Sequence, residues 1–172
     1  MTMRITVSQL NELLSSFQPI RCWRFGRYLG SMLTFDFGAQ LVIKTHDLMA
    51  AAEGCLVIGV RNVLWAAEDG GRTITSAEDV DDAIFANDLA WRPIGAALNL
   101  IESTAGGLWI SFRFDNGFAL KVDATNTWKT ESDIFEITLP DGRIVVLGHE
   151  GALELLDEIE PIRAEQWRAS LN

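Results

Sequence analysis

Histidine and cysteine are scarce in this chain, two of each among 172 residues. His46 and His149 lie far apart, and neither a Cys-x-x-Cys nor a His-x-x-x-His pair occurs. A structural zinc site draws four such ligands at close spacing, so neither metal nor cofactor is expected. Basic side chains are also few, 14 against 24 acidic, for a net charge of −10. A phosphate backbone would be repelled, which argues against direct nucleic-acid binding. No apolar run approaches the roughly 18 residues of a membrane span. Residues 1–8 lack the apolar stretch of a secretory leader, so a cytoplasmic protein is expected. Proline and glycine together make 18 residues, too few for a collagenous or low-complexity chain. Nucleotide loops and nucleophile elbows are missing as well.

What is present is globular: 48% apolar and 22% charged residues, enough for one domain over 1–172 with a core that needs no disulfide. Cys22 and Cys55 sit among apolar neighbours and read as buried, reduced thiols. The charge is uneven. Residues 1–44 carry Arg4, Arg21, Arg24, Arg27 and Lys44 against Glu12 and Asp36, a net of +3, leaving −13 on the remainder. Glu68, Asp69, Glu78, Asp79, Asp81, Asp82 and Asp88 crowd one stretch against Arg72 alone. The run Glu78-Asp79-x-Asp81-Asp82 lacks the glycine and distal glutamate of a calcium loop and reads as a solvated face.

Thr6 and Gln9 have capping-box spacing, and Leu10, Leu13, Leu14 and Phe17 recur on one helical face until Pro19. The period then changes to two. Leu33, Phe35 and Phe37 alternate with Thr34 and Asp36 as a half-buried strand; Gly38-Ala39-Gln40 is expected to turn it, and Leu41-Val42-Ile43 to return. Cys55 to Val60 and Val63 to Ala66 read as strands, with a turn at Gly70-Gly71. Ser76 with Asp79 suggests a helix over 77–87, inner face Val80, Ala83 and Ile84. Leu108, Ile110, Phe112 and Phe114 alternate, Asp115-Asn116-Gly117 turns the chain, and Phe118, Leu120 and Val122 return. A second hairpin is built on Pro140-Asp141-Gly142, and a last helix over 152–159 ends before Pro161.

The fold class is therefore α+β, mostly antiparallel sheet with two or three short helices. The Trp23-Arg24 and Trp91-Arg92 regions echo one another, each followed by an apolar-x-Phe-x-Phe strand. Two similar β-meander halves, about 20–70 and 90–150, are one reading of this echo; two unrelated hairpin regions are the other.

The stretch Gly107-Leu108-Trp109-Ile110-Ser111-Phe112-Arg113-Phe114-Asp115-Asn116-Gly117-Phe118-Ala119-Leu120-Lys121-Val122, with Phe135-Glu136-Ile137 and Pro140-Asp141-Gly142, resembles a group of small bacterial domains of unassigned function. Some of these are encoded near polymorphic toxins, which implies immunity proteins. The likeness covers about 40 residues, and Phe135 stands where the group has tryptophan. It carries over no catalytic residue.

Three functions follow as expectations. The first is a non-enzymatic binding domain, in its sharper form an immunity protein that neutralises a basic toxin domain. Glu78, Asp79, Asp81 and Asp82 would steer the partner and Trp128 would anchor it. The second is a small-ligand domain, with Trp23, Arg24, Trp91 and Arg92 around the ligand. The third is an enzyme that uses His149 with Glu150 or Asp141.

Overall fold

The computed structural model describes residues 2–17, 20–28, 31–44, 50–61, 63–104, 106–125, 134–147 and 152–157. Pro19, His46, Trp128, His149 and Glu150, which the sequence reading used, lie outside the described residues. Among the described residues no helix is long and apolar enough to cross a membrane.

Two antiparallel sheets face each other. The first holds β1 (Thr2–Ile5), β2 (Cys22–Arg27), β3 (Leu33–Lys44), β4 (Ala50–Val60), β10 (Phe135–Thr138), β11 (Ile144–Leu147) and β12 (Leu153–Leu156), in the order β1-β12-β11-β10-β4-β3-β2. The second holds β5 (Trp65–Asp69), β6 (Arg72–Ser76), β7 (Leu98–Ser103), β8 (Trp109–Phe114) and β9 (Phe118–Asp123), in the order β6-β5-β9-β8-β7. Phenylalanine rings from the two sheets meet in the core. Phe35 and Phe114 lie 5.5 Å apart, Phe37 and Phe114 6.0 Å, and Phe112 and Phe135 5.2 Å. Such pairs add about 0.5–1.5 kcal/mol each beyond the area they bury.

The helix α1 (Val7–Ser15) is set by a reciprocal cap, in which Thr6 Oγ1 accepts from Gln9 N–H at 3.2 Å and Gln9 Oε1 accepts from Thr6 N–H at 2.8 Å. Leu10 and Leu14 are buried, as the helical period requires. Asn11 closes an open sheet edge. Its Nδ2 donates to Ile101 O at 2.7 Å, and its Oδ1 accepts from Ile101 N–H at 2.8 Å, as a neighbouring strand would. Both expected late hairpins are present, with Gly117 at φ 91° in the three residues between β8 and β9 and Gly142 at φ 87° in the five between β10 and β11.

Several expectations are corrected. Gly38-Ala39-Gln40 does not reverse the chain. Gly38, at φ 72°, forms a bulge between Phe37 and Gln40, and β3 runs on beside β4. Residues 153–156 form a strand, not a helix, because β1 and β11 pair with both of its edges. Asp36 lies on no solvent face; it is buried. Leu108 falls before β8 and is exposed, whereas Ile110, Phe112 and Phe114 point into the core. Four further strands among the described residues were not read from the sequence: β1, β2, β6 and β7. The architecture is mostly antiparallel sheet with two short helices, so its helical share is small. Strands from the two echoing regions mix, since β10 and β11 join the first sheet and β5 the second.

Candidate functional site

The acidic stretch follows β6 and lies on the surface. Ser76 Oγ donates to Asp79 Oδ2 at 2.8 Å, but this contact closes a turn, not a helix. Val80 N–H bonds Ser76 O at 3.0 Å, which tucks the Val80 side chain into the core. The helix therefore starts later than expected. Asp81 is its N-cap, accepting from Ile84 N–H at 2.7 Å, and α2 (Asp82–Ile84) widens into a π-turn over Phe85–Leu89. Ala83 is exposed instead of inward; Leu89 is fully buried, and Phe85 packs against Phe25 of β2 at 5.2 Å. Arg27 Nη1 reaches Asp82 Oδ1 at 2.6 Å and ties the segment to β2 a second time.

Glu78, Asp79, Asp81 and Asp82 are all exposed. Among the described residues only Asp82 of the four has a cationic partner. The four acids thus share one exposed segment, and three of them have no cationic partner among the described residues.

This segment leads directly to Trp91. Trp91 is 59% exposed, whereas Trp65 is buried with its Nε1 donating to Ser31 O at 2.8 Å. The Trp91 ring is held in place: its Nε1 donates to Asn87 O at 2.9 Å, and the Arg92 guanidinium lies 4.8 Å from the ring centre. Arg92 is itself fixed by Asp69 and by Asp88 O, and Asn116 Nδ2 donates to Arg92 O at 2.7 Å. Beyond Ile94, Gly95 takes φ 82° and the chain joins β2, with Gly95 N–H to Cys22 O and Cys22 N–H to Ala96 O both at 2.8 Å.

Trp23 shares one feature with Trp91, an arginine over its ring, with the Arg24 guanidinium 5.1 Å from the ring centre, but it is half-buried. Of the four residues expected around a ligand, Trp23 and Arg92 border different hollows among the described residues. A groove of about 580 Å³ runs past Arg21, Trp23, Gly38, Gln40, Ile94 and Gly95. Arg92 borders a separate hollow of about 370 Å³ with Asp69, Arg72, Thr73 and Ile74. Arg24 is engaged by Asp36, Nε to Oδ2 at 2.8 Å, which raises the Arg24 pKa. Asp141 is paired with Arg143 at 2.7 Å in the β10–β11 turn. Ile94, Gly38 and Gln40 were not read from the sequence as site residues; Gly38 and Gln40 were read as a turn, and exposure of Ile94 cannot be read from the Trp-Arg-Pro-Ile-Gly run.

Cys22 and Cys55 are both buried and unbridged. Burial pushes the Cys22 thiol up to about 12 from 9.0. The folded pKa is raised, so the stability this protonated thiol gives is complete below pH 9 and is lost as pH rises towards 12. The slope is about 1.4 kcal/mol per pH unit for one group. Urea titrations from pH 8 to 11 should show the stability gap between wild type and Cys22→Ala shrinking as pH rises. A constant gap would show that Cys22 titrates normally in the fold.

No family model, curated protein or solved structure matches this chain.

Proposed function

We propose that this protein is a binding domain for a basic protein, and that residues 78–94 form its docking face. One observation carries this reading: steering charge and an aromatic anchor share a single braced segment. About ten residues separate Asp81 from Trp91, roughly 15 Å at helical rise. A standard interface of about 800 Å² per partner covers both. Exposed acids raise the encounter rate with a cationic partner, and a pre-positioned indole supplies contact area with little rotamer entropy left to lose. In its sharper form the partner is the toxin domain of a nuclease-like toxin, whose own substrate selects a basic surface, and this chain is its immunity protein.

The experiment begins with capture of the partner from the native cells at low salt. Association rates are then compared for wild type and the double variant Glu78→Lys/Asp88→Lys, whose wild-type carboxylates have no cationic partner among the described residues. The variant should associate roughly tenfold more slowly at low ionic strength, and the difference should close as salt rises. Equal rates at all salt concentrations would remove the acidic face from the binding reaction.

A further inference from the structure

We infer that the groove between Trp23 and Ile94 is the seat for one apolar side chain of the basic partner, aromatic or long aliphatic, flanked in that partner by lysine or arginine. The inference rests on the binding role proposed above and names the contact that would give it affinity.

Three observations converge on the groove. The first is shape. At about 580 Å³ it is a shallow, open hollow, and Trp23 and Ile94 are its large apolar lining residues. The second is uncovered apolar surface. Ile94 is 43% exposed and Trp91, three residues earlier in the same turn, 59%. Ile94 N–H bonds Trp91 O at 3.2 Å, which holds Trp91 in the same turn as the rim residue Ile94. An exposed aromatic and an exposed aliphatic side chain in one turn have the composition of an interface hot spot. Because Trp91 is already held by Asn87 and Arg92, little ordering cost remains to be met on binding.

The third is charge, and it selects the occupant. Arg21, the arginine that lines the groove, is matched by Asp115 at 3.6 Å, and Arg24, against the Trp23 ring, by Asp36 at 2.8 Å. Glu78, Asp79 and Asp81, on the segment leading to the rim, have no cationic partner among the described residues. A second copy of this chain, with its net charge of −10, would bring like charge to that face. A basic partner brings the opposite charge.

A displayed library of random twelve-residue peptides, selected on the whole protein at low salt, tests this without knowledge of the partner. Enriched peptides should carry one aromatic, leucine, isoleucine or methionine residue between basic residues. One such synthetic peptide is then titrated against wild type, Ile94→Asp, Gln40→Trp and Glu78→Lys/Asp88→Lys, with tryptophan fluorescence as the readout. Ile94 and Gln40 lie at the surface, and matching urea midpoints verify that the variants fold. Ile94→Asp and the groove-filling Gln40→Trp should each weaken binding at least tenfold. Replacing the apolar residue of the peptide by alanine should cost the same and should remove its sensitivity to Ile94→Asp. If the charge-reversed protein binds weakly but both groove variants bind within twofold of wild type, the groove inference is overturned and the acidic docking face stands. If no basic peptide is enriched, or if charge reversal has no effect, both fall together.

Discussion

Gly54→Ala is expected to destabilise the protein by about 3 kcal/mol or more, the upper end of the cost of overpacking a core. A β-carbon at Gly54 would lie 2.5 Å from Phe37 N, 2.6 Å from Phe37 O and 2.8 Å from Leu56 O. All three are backbone atoms, so no side chain can rotate away and the strands must separate. The site is the β3–β4 pair, where the bulge after Phe37 presses one main chain onto the other. Gly54 N–H also donates to Asp36 Oδ1 at 2.7 Å, so moving the strand breaks a buried hydrogen bond as well. Gly59 on the same strand is the control: its β-carbon would meet only Glu136 O, at 4.0 Å. Gly59→Ala should therefore change stability by less than about 1 kcal/mol. Urea midpoints with unchanged m values measure both. A midpoint for Gly54→Ala equal to that of Gly59→Ala would refute the close strand approach.

Asp36→Ala is expected to cost about 3 kcal/mol, the lower end of the range for breaking a buried ion pair. Asp36 is 1% exposed and divides its two oxygens between the Arg24 guanidinium and Gly54 N–H. Its loss leaves a buried backbone donor without a partner. Arg24 is 41% exposed and can recover hydration, which keeps the cost at the lower end. Asp36→Asn retains an acceptor for Gly54 and should lose less. A double-mutant cycle with Arg24→Ala isolates the share due to the ion pair, and a coupling near zero would mean that Gly54 N–H alone needs the carboxylate. The effect should extend to binding. Asp36 holds Arg24, and Arg24 covers one face of Trp23 at the groove, so Asp36→Ala should shift tryptophan emission even in the folded protein.

Asp36 also shows where sequence reading stops. On a strand, Leu33-Thr34-Phe35-Asp36-Phe37 alternates apolar and polar, and alternation assigns Asp36 to water. What buries it is a donor eighteen residues away and an arginine on the adjacent strand, neither of which changes the local pattern. Leu153-Glu154-Leu155-Leu156 fits a helical face as well as a strand, and pairing with β1 and β11 decides between them. Arg72-Thr73-Ile74-Thr75-Ser76 had a β-branched signal for β6, but its shortness and polarity hid it. The candidate site was half legible. Its acids are a compositional fact, visible in the sequence over residues 78–88. The role of Trp91 as a surface ring and of Ile94 as a groove wall depends on which tryptophans the two sheets cover.

The sequence by itself determined the features governed by a few neighbouring residues. These are the Thr6–Gln9 cap, the glycine-closed loops at Gly117 and Gly142, the alternating strands on either side of them, and the excess of acid after β6. Only the tertiary structure decided which strands share a sheet, that Gly38 bulges instead of turning, that Asp36 is buried and that Trp91 is not. The reason is range. Caps, turns and periodicity act through bonds and contacts within about one turn or one hairpin, whereas burial and strand partnership are set by packing between residues distant in the chain, which no local pattern encodes.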